Sequence, residues 1–171
     1  MPPDQKATAS ELLAASLRVR LSYDLAPIAV IGPGAGEMAA ALRGVGYERI
    51  WQREGIDAVL SLYQPGRVFD AVVLTGCLEH LADGTRAFDQ IDASLADAGF
   101  VCVTIAAQAA ERLDRHQLTT DHQQPTTARM DSLMRLFADH GFQLHVMDAE
   151  APHDATKTTL IGIFSRRVRK C

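Results

Sequence analysis

Ile28-Ala29-Val30-Ile31-Gly32-Pro33-Gly34-Ala35-Gly36-Glu37 decides how this chain is to be read. Four apolar residues run straight into three glycines on alternate positions, and an alanine-rich helical pattern, Glu37–Arg43, follows. A continuous apolar run closed by glycine reads as a strand buried on both faces of a parallel sheet. The glycines then give a tight turn and a helix start. Backbone without side chains lets a ligand approach closely, and a helix N-terminus offers unbonded N–H groups and partial positive charge. The stretch is a place to lay a nucleotide.

Spacing narrows the ligand. The dinucleotide fingerprint G-x-G-x-x-G needs a glycine where this chain has Glu37. The phosphate loop fails too, because no Lys-Ser or Lys-Thr pair closes the run. A G-x-G-x-G arrangement remains. Glu37, a carboxylate in the first helical turn, would repel a pyrophosphate, so a ligand without phosphate fits better.

After the helix-stopping Gly44-Val45-Gly46, the run Arg49-Ile50-Trp51-Gln52-Arg53-Glu54 reads as a second strand ending in an acid. Glu54 lies 22 residues beyond Gly32, near the spacing of about 20 at which an acidic residue meets ribose hydroxyls. Two carboxylate oxygens suit a vicinal diol; the alternative is an ordinary surface glutamate. Phe69-Asp70-Ala71-Val72-Val73-Leu74-Thr75-Gly76-Cys77-Leu78-Glu79-His80-Leu81 gives the next strand and its exit. Thr85–Leu95 is helical, with Phe88, Ile91 and Leu95 at i, i+3 and i+7, and Phe100–Ile105 is another strand.

From Ile28 to Ile105 the order of elements and the motif spacing resemble the class I S-adenosylmethionine-dependent methyltransferases. The glycine run is similar to that family's motif I, and Phe69–Leu81 to its Phe-Asp-x-Val strand followed by Leu-Glu-His-Leu. Ala98-Gly99 stands where the family has a glycine pair. The resemblance implies a Rossmann-like α/β fold: a mostly parallel twisted sheet, helices on both faces and an antiparallel C-terminal strand. It implies S-adenosylmethionine as cofactor and S-adenosylhomocysteine as product. The cofactor would lie over Gly32, Gly34 and Gly36, with Thr75 and Gly76 beside its methionine end.

Composition agrees with one domain over residues 1–171: 47% hydrophobic residues supply a sizeable core, and 22% charged residues a soluble surface. Within it, residues 1–24 read as a helical lead-in, 25–106 as the cofactor half, and 107–171 as the substrate-side loop, helix and last strands. A formal net charge of −4 gives no general attraction to nucleic acid. No apolar run is long enough to cross a membrane, and the first residues do not form a signal peptide. Cys77, Cys102 and Cys171 are odd in number, far apart and without a C-x-x-C pair. They read as reduced thiols, and so as a cytoplasmic protein. The basic run Arg166-Arg167-Val168-Arg169-Lys170 reads as the solvated end of the last strand.

Ser10–Leu21 is a helix with Leu12, Leu13, Leu17 and Leu21 on one stripe. Ala107–Thr127 is polar, contains Pro125 and suits a short helix and loop over the site. Arg129–His140 is a helix whose Met130, Leu133, Met134 and Phe137 face the core, stopped by Gly141. Gln143–Met147 and Thr158–Ser165 close the sheet as an antiparallel pair. The β-α alternation before them argues right-handed parallel crossovers, with ligands at the C-terminal strand edges. Gly32–Gly36, Glu54 and Thr75–His80 all fall on that edge.

One piece is missing. Only 14 residues separate Glu54 from Phe69, where the resembled family has a helix and a further strand beside the adenine. A parallel crossover alone needs a dozen or more residues. Ala58–Tyr63 is therefore either a short edge strand or a single helical turn, and Asp57 and Ser61 are the nearby polar candidates for the base. Losing a stacking wall and a hydrogen bond costs about 2–4 kcal/mol, or about 30- to 1,000-fold in Kd. A homodimer mate or protein partner could complete the site.

Methyl transfer asks mainly for in-line alignment and removal of a proton. His80 is the candidate base and Glu79 its neighbour, the alternative being a helix cap and a packed ring. The run His116–His122 faintly resembles an Asp-x-Thr-His segment placed over substrate in some family members, which makes His122 a substrate-side residue; Asp121 and His116 match no metal-ligand spacing, so no metal is expected. The leading expectation is methyl transfer to a small-molecule or sugar-type acceptor. The rival is a non-catalytic chain with a degenerate site, serving as partner or scaffold. A nucleotide-binding oxidoreductase is a third reading, opposed by Glu37.

Overall fold

The computed structural model describes residues 7–78, 84–106, 126–150 and 159–167. Helix α1 (Ala9–Arg20) starts at a capping box: Glu11 N–H donates to Thr8 Oγ1 at 3.2 Å, and Thr8 N–H donates to Glu11 Oε2 at 2.8 Å. Then come β1 (Ile28–Ile31), α2 (Ala35–Gly44), β2 (Ile50–Arg53), a 3-10 segment Ile56–Ser61 and β3 (Phe69–Thr75). Helix α3 (Gly84–Ser94), β4 (Leu95–Ala106), α4 (Thr126–Asp139), β5 (Phe142–Glu150) and β6 (Thr159–Arg166) follow.

Six strands form one sheet in the order β2-β1-β3-β4-β6-β5. The first four run parallel; β6 enters antiparallel between β4 and β5. Strand residues alternate between two cores, as a period of two demands. Ala29, Ile31, Val72, Leu74, Val101 and Val103 pack on α3, α4 and the 3-10 segment. Ile28, Val30, Ala71, Val73 and Cys102 pack on α1 and α2 through Leu13, Leu17, Met38 and Leu42. Helices therefore cover both faces, as the glycine run and its context predict.

The interval between Glu54 and Phe69 takes the second of the two expected forms. Ile56–Ser61 is a short 3-10 helix and no strand forms in it, so β3 pairs directly with β1 and β2 is left at the sheet edge. Fourteen residues cannot cross the sheet twice, and the chain takes the shorter route.

Two sequence expectations need correction. Met134 is 38% exposed, whereas Leu133 and Phe137 are fully buried. The apolar stripe of α4 is thus narrower than its periodicity suggests. Arg166 is not a solvated strand end. Its Nε donates to Asp92 Oδ1 at 2.9 Å, and its other nitrogens donate to the backbone carbonyls of Asp92, Leu95 and Ala96. It caps the C-terminus of α3, where unbonded carbonyls and the negative end of the helix dipole favour a cation. Arg167 is exposed, and the rest of the basic run lies outside the described residues, as does Cys171. Cys77 and Cys102 are buried, and burial pushes the Cys102 thiol up to about 12. Neither the 3-10 segment nor any described helix is long and apolar enough to cross a membrane.

Candidate functional site

The C-terminal ends of four parallel strands are tied together by short polar contacts. Gly32 N–H donates to the Arg53 carbonyl at 3.0 Å, joining the exits of β1 and β2. Thr75 Oγ1 donates to the Ile31 carbonyl at 3.1 Å, joining β3 to β1. Gly76 N–H donates to the Thr104 carbonyl at 2.9 Å, joining β3 to β4. Gly32 has φ +116°, and a Cβ there would stand 2.2 Å from the Thr75 carbonyl oxygen. No other residue fits, for steric as well as torsional reasons.

Gly34 turns the chain through the left-handed region, at φ +82°, and sits at the N-cap of α2 without a side-chain cap. Nothing lies within 4 Å of where its Cβ would be. One orphan donor of this helix start is satisfied from another strand: Gly36 N–H donates to Glu54 Oε1 at 2.9 Å. Glu54 is exposed, and among the described residues its second carboxylate oxygen has no hydrogen-bond partner.

Over this turn lies a cleft of about 370 Å³, lined among others by Thr8, Gly34, Glu37, Thr75, Thr104 and Thr159. The capped start of α1 forms one wall, and the end of β4 and the start of β6 form another. Hydroxyls dominate the lining; its charged member is the Glu37 carboxylate, and no basic side chain joins it. Such a surface suits a polar ligand carrying positive charge and rejects phosphate.

The structure thus brings Gly32, Gly34, Gly36, Glu54, Thr75 and Gly76 to one edge. His80 and Glu79 lie outside the described residues, as do His116, Asp121 and His122. Among the described residues no cluster of metal-ligating side chains occurs. The adenine candidates are not organised as a base site: Ser61 Oγ donates to the Ala58 carbonyl of its own turn at 3.3 Å, and Asp57 is exposed. Trp51 and Tyr63 do not fill the cleft. Trp51 packs on Phe69 with ring centroids 5.8 Å apart, and Tyr63 is 46% exposed.

Sequence reasoning missed Thr8, Thr104, Thr159 and the position of Glu37 in the cleft. The Thr-x-x-Glu capping signature at Thr8–Glu11 is readable. The meeting of Thr104 and Thr159 depends on β4–β6 register, which pairs Ala106 with Thr159 and which no local pattern encodes.

Comparison with known proteins agrees with this geometry. The family described as "Methyltransferase domain" matches residues 13–146. No curated protein matches the sequence. Among solved structures, the Burkholderia thailandensis 1,6-didemethyltoxoflavin-N1-methyltransferase, bound to 1,6-didemethyltoxoflavin and S-adenosylhomocysteine, is 18% identical with a TM-score of 0.63; the match covers 94% of this chain and 79% of that one. The glycopeptide N-methyltransferase MtfA complexed with sinefungin is 13% identical, with a TM-score of 0.59 and 98% of each chain covered. The N-methyltransferase NodS from Bradyrhizobium japonicum, in complex with S-adenosylhomocysteine, is 14% identical, with a TM-score of 0.54 and coverage of 95% and 89%. These likenesses describe the fold; the family match spans most of the chain, which belongs to the class I S-adenosylmethionine-dependent methyltransferases.

Proposed function

We propose that this chain binds S-adenosylmethionine over Gly32, Gly34 and Gly36 and transfers its methyl group to a small-molecule acceptor. The observation that carries the reading is the open, hydroxyl-lined cleft over Gly34, with Glu37 as its charged wall. The cofactor is a cationic, phosphate-free nucleoside, and the cleft fits that chemistry. Bound there, it supplies an electrophilic methyl on sulfonium.

In this reading the free oxygen of Glu54 accepts from the ribose diol while its partner oxygen stays on Gly36 N–H. Thr75 and Gly76 border the methionine end. Glu37 faces the cationic part of the ligand. His80 takes the proton lost by the acceptor, and His122 meets the acceptor from the substrate side. The structural neighbours include a 1,6-didemethyltoxoflavin-N1-methyltransferase and a glycopeptide N-methyltransferase. A small molecule or sugar-type acceptor suits this cleft better than a nucleic acid, because the cleft is small, about 370 Å³, and its lining carries no basic side chain. The whole chain is proposed to act as one domain in a reducing compartment, consistent with its buried cysteines.

Thermal denaturation with and without S-adenosylhomocysteine tests the reading. Wild type should be stabilised by ligand, as anything that binds only the native state stabilises it. Gly34→Val should lower the melting temperature, because φ +82° strains a β-branched residue, yet still melt cooperatively, and it should lose the ligand-induced rise because the side chain would project into the open cleft. Equal rises in both proteins would put the ligand somewhere other than over Gly34, and no rise in wild type at millimolar ligand would favour the scaffold reading that the shortened Glu54–Phe69 interval suggests.

A further inference from the structure

The shortened crossover leaves a second surface that the methyltransferase reading does not use. Strand β2 pairs with β1 on one side and, among the described residues, with no strand on the other. The carbonyls of Arg49 and Arg53 point inward, accepting from Ile28 and Gly32 N–H. By strand alternation, the backbone groups of Ile50 and Gln52 point out of the sheet.

At the N-terminal end of β2, between it and the segment leading into β3, is a groove of about 660 Å³. Half-buried Trp51, Glu48 and Val68, 52% exposed, are among its lining residues. Two arginines lie over the indole and a third is near it in the groove. The Arg53 guanidinium carbon is 5.2 Å from the ring centroid, that of Arg67 is 5.5 Å away, and Arg49 lines the groove. None of the three forms an ion pair with a described residue. On a chain of net charge −4, the face of β2 that carries Trp51 is a local cationic patch around an aromatic anchor, with Glu48 of the groove falling on the opposite face by strand alternation.

We propose that the β2 edge is a docking site for an extended acidic segment of a partner protein, which adds a strand to the sheet. Side chains alternate across a strand, so Arg49, Trp51 and Arg53 share one face. The matching segment carries acid–x–apolar–x–acid: two carboxylates against the arginines and an apolar residue against Trp51. Backbone pairing gives affinity and the alternate side chains give specificity.

Charge selects this occupant over a second copy. Two copies paired antiparallel at full overlap, through the outward groups of Ile50 and Gln52, would set Arg49 opposite Arg53 and Glu48 opposite Glu54. Like charges directly opposed in a ladder are destabilising. The arginines thus guard the edge against self-pairing while leaving it open to an acidic strand.

Trp51 is the chain's only tryptophan, so its fluorescence reports on the groove. The probe is a capped seven-residue peptide with glutamate at its second and sixth positions, valine at its fourth and threonine elsewhere. A control peptide has lysine for glutamate. The glutamate peptide should give a saturable change in Trp51 emission, with or without S-adenosylhomocysteine, and the lysine peptide none. The double variant Arg49→Glu, Arg53→Glu should weaken binding by about tenfold or more, read by anisotropy of the labelled peptide. Its melting should stay near wild type, because both side chains are exposed and without ion pairs. Equal response to both peptides, no saturation at millimolar peptide, or a wild-type mass that doubles with concentration and a double variant that stays monomeric would overturn the proposal.

Discussion

The two sides of β1 are built to different standards. On one side β3, β4, β6 and β5 continue the sheet, with Leu133 and Phe137 of α4 fully buried against it and Phe137 stacked on Phe164 at 3.9 Å. On the other side the sheet stops after β2, whose four residues are half-buried or exposed. The cofactor edge straddles that boundary: the glycine turn and the cleft draw on the complete side, while Glu54 stands on the truncated one. The contrast teaches that the glycine turn and Glu54, proposed to meet the methionine end and the ribose, are assembled without the strand that would flank the adenine. The complete side is where sheet packing supplies stability, and the truncated side is where surface has been released.

Variants can break or sharpen this contrast. The largest loss of stability should follow Gly32→Ala. Its Cβ would collide with the Thr75 carbonyl at 2.2 Å, in a backbone conformation unfavourable to alanine. Strain and overpacking together should cost about 3–5 kcal/mol in urea unfolding. Arg166→Ala, on the complete side, should cost about 1–2 kcal/mol by removing the carbonyl contacts that close α3. Glu54→Gln should change stability by under ~1 kcal/mol, because an amide oxygen can still accept from Gly36 N–H. It should nonetheless weaken S-adenosylhomocysteine binding by about tenfold, the worth of one charge-assisted hydrogen bond.

A smaller effect is expected at the opposite end of the sheet. The Tyr23 hydroxyl donates to Asp70 Oδ2 at the start of β3. That hydrogen bond, followed by burial and the Asp70 charge, pushes the phenol up to about 12 from its usual 10. The folded state thus holds the proton longer than the unfolded chain. The stabilisation is complete below pH 10 and is lost as pH rises from 10 to about 12. Because Tyr23 is half exposed, the amplitude is modest. Spectrophotometric titration should show Tyr23 as a late phenol, alongside Tyr47, whose burial also raises it, and Tyr23→Phe should remove one late phenol and flatten the stability profile across that window.

The glycine run, the short interval after Glu54 and the periodicity of α1 made the fold readable. Buried strands announce themselves by unbroken apolar runs, and turns by glycines whose φ is positive. What stayed hidden depends on long-range register. Arg166 caps a helix whose Asp92 is 74 residues away in sequence. β4 begins earlier than its apolar core, at Leu95, which pairs with Phe69 before the register shifts. Met134 follows the helical period yet lies beyond the reach of the sheet. The cleft's threonines were overlooked for the same reason: each is unremarkable locally, and only the sheet order gathers them.

In the proposed reading the cofactor edge works without the further strand that the family has beside the adenine. Calorimetric titration of wild type with S-adenosylhomocysteine and, separately, S-adenosylmethionine tests this directly. Saturable heat with one ligand per chain, lost in Gly34→Val and weakened in Glu54→Gln, is the expected result. No heat at millimolar ligand, from protein whose melting is cooperative, would contradict it.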